Sequence, residues 1–181
     1  MSSPLRISLA KANEATAAQL AELGRQTFHD TFAAQNKPED MAAYLTETFG
    51  PELQLAELQN RENTFLLAHM QAELVGYAKL RDNSALGLLE NQDPSGRLEI
   101  ERLYVREDWQ GTGLGAALMR GILALAEQLH CNAVVLGVWE KNEQARAFYQ
   151  RFGFRQIGEH PFQIGQDVQN DLILRKGLAG R

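Results

Sequence analysis

A single cysteine, Cys131, in a chain of 181 residues excludes an intramolecular disulfide framework. Its surroundings, Gln128-Leu129-His130-Cys131-Asn132-Ala133, read as a helix end meeting a strand. A thiol nucleophile needs a base at hand, and its neighbour His130 does not share its helix face, so Cys131 is expected to be structural. No apolar run approaches the roughly 20 residues that span a bilayer. Met1–Ala10 also lacks the apolar stretch of a signal peptide, and these two absences predict a cytoplasmic protein with no membrane partner. The histidines His29, His69, His130 and His160 are scattered without metal-ligand spacing, so no metal is expected. Clustered Lys and Arg are missing as well. With a formal charge of −5 the chain is ill suited to nucleic acid and better suited to a small cationic partner.

What is present is an ordinary globular balance, 44% hydrophobic and 23% charged, sufficient to bury a core in one domain, 1–181. Leu5–Leu9 alternates like a short strand. From Asn13 to about Asn36 the positions Leu20, Leu23, Phe28 and Phe32 keep near-helical spacing. Pro38-Glu39-Asp40 opens a second helix and Gly50-Pro51 ends it, with a further short helix over Pro51–Asn60. Thr64–Met70 and Leu74–Leu80 form a predicted β-hairpin, Arg81–Gly96 a surface loop, and Leu98–Val105 a strand. With a regular pleat, that strand sets Glu99, Glu101, Leu103 and Val105 on one face. A helix over Gly113–Leu129, a buried strand over Ala133–Val138, and a helix over Asn142–Phe152 follow, the last capped by Asn142 and stopped by Gly153. Phe154–Ile157 and Asp171–Leu174 supply closing strands. This order predicts a mixed α/β domain on a central sheet of about six or seven strands.

Gln110-Gly111-Thr112-Gly113-Leu114-Gly115 joins a strand to an amphipathic helix. Glycines at alternate positions free the backbone of Cβ atoms, so the N–H groups of the first helical turn can converge on an anion. The run from Gly111 to Ala116 also satisfies the dinucleotide pattern G-x-G-x-x-G/A. Polar Arg106–Gln110 intervenes after the strand, however, and no carboxylate lies about 20 residues on, where that pattern places its ribose partner. The Gly-Lys-Ser/Thr of a P-loop is absent. A plain tight turn is the remaining alternative.

Q-x-x-G-x-G, as Gln110…Gly113…Gly115 after LEIERLYV, resembles the acetyl-CoA motif of the GNAT superfamily. The segment LGVWEKNEQARAFYQRFGF, with Asn142 seven residues before Tyr149 and Gly153-Phe154 following, strengthens the resemblance. TFHDTFAAQNKPEDMAAYL and LGVWEKNE look most like the PaiA group of polyamine N-acetyltransferases, over roughly Phe28 to Leu174. The resemblance implies the single-domain GNAT fold, a mostly antiparallel twisted sheet with helices on both faces. It implies acetyl-CoA as cosubstrate, its pantetheine beside Leu103, Tyr104 and Val105, and its pyrophosphate on the turn of Gln110, Gly111, Thr112, Gly113, Leu114 and Gly115. Asn142 matches the residue reaching the pantetheine or its neighbouring strand, Phe148 one packing near the cofactor, and Tyr149 the residue beside the thioester sulfur.

Acetyl transfer needs a neutral amine. For an alkyl ammonium with a pKa near 10.4, deprotonation at pH 7 costs about 4–5 kcal/mol, so a carboxylate must take the proton directly or through water. Glu99 and Glu101 are the candidates, with ion pairs to Arg97 or Arg102 as their structural alternative. A Tyr149 phenol is about 2 kcal/mol too weak an acid to protonate a departing thiolate, so a hydrogen bond to the developing charge matters as much as proton transfer. Its spacing with Ala145, Phe148 and Phe152 equally suits a core helix face. Phe28, Phe32 and Tyr44 are expected to line the acceptor pocket, with Asp30, Glu39 or Asp40 attracting a remote ammonium. The reading is therefore an N-acetyltransferase for a primary amine, preferentially spermidine or spermine. A peptide or protein N-terminus or another small amine, a non-catalytic acetyl-CoA-binding regulator, and a nicotinamide dehydrogenase are the competing classes. A homodimer fits the superfamily, although no interface is legible in the residues.

Overall fold

Asn13 accepts the Thr16 amide at 2.8 Å and so opens the first long helix, α1 (Glu14–Phe32), behind the short strand β1 (Leu5–Leu9). The computed structural model describes residues 5–179; the ends of the expected single domain, 1–4 and 180–181, lie outside the described residues. Pro38 and Pro51 each start a helix, α2 (Pro38–Thr48) and α3 (Pro51–Gln59), where a missing N–H costs nothing. Gly24 lets α1 settle onto the sheet: a Cβ there would stand 2.6 Å from the Phe49 ring and 2.8 Å from the Tyr77 hydroxyl.

The strands β2 (Asn63–Met70), β3 (Glu73–Asp82), β4 (Arg97–Val105), β5 (Ala133–Trp139), β6 (Arg155–Ile164) and β7 (Asp167–Gly177) complete one seven-stranded sheet in the order β1-β2-β3-β4-β5-β7-β6. Every neighbouring pair is antiparallel except β4–β5. The helices α4 (Leu114–Gln128) and α5 (Glu143–Arg151) cover one face. There Leu118, Met119 and Ile122 pack with Leu98, Ile100, Val134 and Leu136. On the opposite face Leu20 and Leu23 meet Phe65 and Tyr77, and Phe28, Met41, Phe49 and Ile164 form an adjoining cluster. The sheet thus separates two apolar layers.

Two expectations need correction. The short closing strands Phe154–Ile157 and Asp171–Leu174 are pieces of one long hairpin, β6–β7, that turns at Gly165 (φ 58°). Pro161 and the polar residues around it mask this in the sequence, but β6 is an edge strand, where a proline without an N–H is tolerated. The pleat of β4 is also irregular. Lys79 pairs with Arg102 and Leu80 with Ile100, leaving Glu101 as an extra residue opposite the partner strand. This bulge puts Leu103 and Val105 with Leu98 and Ile100 on the α4–α5 side, while Arg102 and Tyr104 face α1–α3.

Candidate active site

β4 and β5 pair over four residue pairs only, from Arg97↔Ala133 to Ile100↔Leu136. Beyond them β4 stays bonded to β3 as far as Val105, and β5 to β7 as far as Trp139. The sheet therefore opens in its middle, and the inner backbone edges of Glu101–Val105 and Gly137–Trp139 have no strand between them. An extended ligand with amide groups fits such a gap as an added strand.

The glycine turn stands at the wide end of this opening. One turn of 3-10 helix, Glu107–Trp109, separates it from β4, which accounts for the polar insert that spoils the dinucleotide pattern. Gly111 (φ 76°) and Gly113 (φ 89°) adopt left-handed backbone, and a Cβ at either would meet nothing within 4 Å. Gly113 caps α4 without any side-chain cap, so the first-turn N–H groups face an open cradle suited to a phosphate. The polar side chains of the turn brace it instead. Gln110 Nε2 donates to the Val105 carbonyl at 3.1 Å, and the Thr112 hydroxyl donates to the Trp109 carbonyl at 2.6 Å. Phe148 on α5 closes the cradle from the far side, 3.7 Å from the position of a Cβ on Gly115.

Asn142 Oδ1 accepts the Ala145 amide at 3.1 Å, so the side chain expected at the pantetheine first serves as the cap of α5. Tyr149 is half-buried between Phe148 and Phe154, with ring centroids 5.4 Å and 5.8 Å away. Burial pushes its phenol above the usual range, which makes it a still poorer proton donor. Tyr104, expected at the cofactor, turns its ring the other way, edge-on to Tyr77 at 5.5 Å, and offers the opening only its backbone.

On the α1–α3 side the charged residues divide into two groups. Glu57 on α3 holds Arg102 at 2.7 Å and 3.0 Å and Lys79 at 2.9 Å, with the Arg102 guanidinium 5.1 Å from the Phe49 ring centroid. Burial raises the Glu57 carboxyl, but Arg102 and Lys79 outweigh it and hold the group below the ordinary range. Glu101 pairs with Lys79 and, at 3.6 Å, with Arg81. The partners expected for the two β4 carboxylates are thus corrected: Arg102 is taken by Glu57, and Arg97 donates to the Leu86 carbonyl at 2.7 Å. Among the described residues Glu99 forms no ion pair; it accepts a 2.5 Å hydrogen bond from the buried Ser84 hydroxyl. Burial raises its pKa, as does the charge of Glu101, against the Ser84 bond. Of the two it is the better poised proton acceptor.

Phe28 is corrected from a pocket-lining residue to core: it is 3% exposed, stacked on Tyr44 at 4.5 Å and beside Phe32 at 4.4 Å. Phe32 and Tyr44 remain half-buried, and Phe32 reaches the Trp139 ring at 5.5 Å. Asp40 is engaged by the Gln166 amide at 3.3 Å at the β6–β7 turn, whereas Asp30 lies 3.6 Å from His29 at the exposed side of α1. Sequence reasoning missed Ser84, Trp139, His160 and Asp171, which loop closure and strand register bring to this face. Cys131 is half-buried, and burial together with the Asp82 charge raises its thiol, in keeping with a structural role. Among the described residues no helix is long and apolar enough to cross a membrane, and no cluster of three His, Cys, Asp or Glu side chains could hold a metal.

Comparison with known proteins gives this geometry a context. The model of the acetyltransferase (GNAT) family matches residues 25–154. An uncharacterized N-acetyltransferase of Lactobacillus delbrueckii subsp. lactis is 35% identical over 173 residues, covering 96% of this chain and 98% of that protein. The spermine/spermidine N(1)-acetyltransferase of Bacillus subtilis is 34% identical over 98 residues, 52% of this chain and 60% of that one. Among solved structures, the PaiA N-acetyltransferase of Thermoplasma acidophilum in complex with coenzyme A shares the fold, with a TM-score of 0.75 at 20% identity over 96% of this chain and 99% of that one.

Proposed function

This chain belongs to the acetyltransferase (GNAT) family and is an N-acetyltransferase; on that premise we propose that it moves acetyl from acetyl-CoA to a primary amine of a polyamine such as spermidine or spermine. One observation carries the donor half: parallel pairing of β4 and β5 stops after Ile100↔Leu136, beside a helix N-terminus whose glycines leave the cradle open. Pantetheine lies along Glu101–Val105, the pyrophosphate sits on Gly111–Gly115, and the thioester meets the acceptor face where the strands part.

On this reading Glu99 takes a proton from the bound ammonium, directly or through water. The freed amine nitrogen bonds to the thioester carbonyl carbon, the C–S bond breaks, and the sulfur leaves as a thiolate that Tyr149 stabilises by hydrogen bonding. Protonation of the sulfur and loss of the second amine proton complete the amide and free CoA. Glu101, paired with Lys79 and Arg81, contributes negative potential rather than a free base.

An acidic acceptor face with half-buried aromatic walls at Phe32 and Tyr44, backed by the buried Trp139 ring, supports a cationic acceptor with methylene stretches, as does the similarity to the Bacillus subtilis enzyme. The test is acetyl-CoA-dependent CoA release with spermidine, spermine, N-terminal peptides and amino sugars. Turnover is expected with spermidine and spermine, and none with either removes the polyamine assignment. A protein that binds acetyl-CoA yet turns over nothing in the whole panel is a regulator.

A further inference from the structure

Gly137 is the first β5 residue beyond the last pair with β4, and it is exposed on the acceptor face. A Cβ placed on it would stand 3.3 Å from Asp171 Oδ2 on β7 and 3.3 Å from His160 Nε2 on β6. Asp171 and His160 are themselves paired in register, so both side chains lean over the same missing side chain. Two side-chain polar atoms thus face the position. His160 Nδ1 lies 3.0 Å from the Pro161 carbonyl, and in the neutral tautomer that donates this bond Nε2 is an acceptor facing Gly137. Asp171 takes part in no ion pair among the described residues, and its Oδ1 is buried without a hydrogen-bond partner.

The oxygen that faces the space over Gly137 is the other one, Oδ2, and it too accepts no hydrogen bond from a side chain among the described residues. Two acceptors converging on one open spot, one of them a carboxylate lacking a cation, match an ammonium, which brings three donors and a positive charge. Burial raises the Asp171 carboxyl to about 6, so it is ionised near neutrality and would gain from such a partner. Burial raises the Tyr44 phenol on α2, with the Asp171 charge adding to it, and with Phe32 and Trp139 Tyr44 gives the spot an aromatic wall.

We propose that the space over Gly137 is the seat of the acceptor ammonium, held by Asp171 and His160, and that these two residues contact substrate. The seat rests on the acetyltransferase reading and adjoins the point where that reading places the thioester. Gly137 is essential to it because any side chain there fills the seat.

Steady-state kinetics at saturating acetyl-CoA, with spermidine, butylamine and an alanine-terminated peptide as acceptors, test the seat. Asp171→Asn keeps the shape of the side chain and removes its charge, whereas Gly137→Ala puts a methyl group into the space. Each is expected to raise KM at least tenfold for whichever amine the wild type uses, with acetyl-CoA affinity changed less than twofold. An unchanged amine KM in Asp171→Asn overturns the proposal, as does a loss confined to kcat, which would make Asp171 a proton acceptor and not a binding group. Wild-type turnover of the peptide alone would end the polyamine reading, yet the peptide's α-ammonium still reports on the seat through the same two variants.

Discussion

The two halves of the proposed site are built from different materials. The donor half is backbone: an opened sheet, two left-handed glycines and the bare start of α4, with Gln110 and Thr112 occupied in bracing the turn. The acceptor half is side chain: the Glu99–Ser84 pair, Asp171 and His160 over Gly137, and rings at Phe32, Tyr44 and Trp139. Backbone can recognise a pyrophosphate and an amide-bearing arm shared by every acetyl-CoA. Side chains set the choice of amine, because each change alters shape and charge locally.

The largest effect is expected from Glu57→Ala, at the base of the acceptor half. It removes the carboxylate from the nearly buried side chains of Arg102 and Lys79, 10% and 7% exposed, at a cost of about 3–5 kcal/mol in urea unfolding. Because Glu57 is held below its ordinary pKa, the stability it provides is present above the ordinary carboxylate range and is lost as the pH falls through its folded value. Gly113→Ala attacks the donor half. At φ 89° an alanine is strained by about 1–2 kcal/mol, and its methyl group stands in the cradle. The acetyl-CoA Kd is expected to rise at least tenfold in calorimetry while the amine KM stays put, which would separate the two halves cleanly. Tyr149→Phe should lower kcat about tenfold with acetyl-CoA affinity retained, placing Tyr149 at the reaction and not at cofactor binding.

The smallest effect is a matter of pH. Asp171, with a carboxyl near 6, loses its charge as the pH falls through that value; the groups facing it are His160 on β6 and Tyr44 on α2, and the Tyr44 phenol stays neutral there. The amine KM should therefore rise several-fold between pH 7.5 and 5.5, whereas the acetyl-CoA Kd should not follow it. A raised folded-state pKa also means that an ionised Asp171 opposes folding above pH 6, so Asp171→Asn should hold or increase Tm at pH 8.

The same division explains what the sequence could tell. Pro38, Asn142 and Gly153 punctuate helices through local chemistry, and the periodicities of α1 and α4 survive because one face of each meets the sheet. The glycine turn was legible since the role proposed for it is a property of consecutive backbone units. The hairpin β6–β7 was not, because Pro161 reads as a break unless the strand is known to lie at an edge. Nor was the bulge at Glu101, which exists only relative to β3 and which reverses the faces of Leu103 and Val105. Asp171 stands in sequence as a charge at the head of the run Leu172-Ile173-Leu174, with nothing to mark it. Only the register with His160 and the absence of a side chain at Gly137 give it a role.

Amide hydrogen exchange, followed with and without acetyl-CoA, tests the division most directly. Protection is expected at Glu101–Val105, at Gly137–Trp139 and in the first turn of α4, with little change over Arg97–Ile100, already paired to β5. Exchange at Glu101–Val105 that acetyl-CoA leaves unaltered would contradict the account, because the opened strands would then not be where the donor lies.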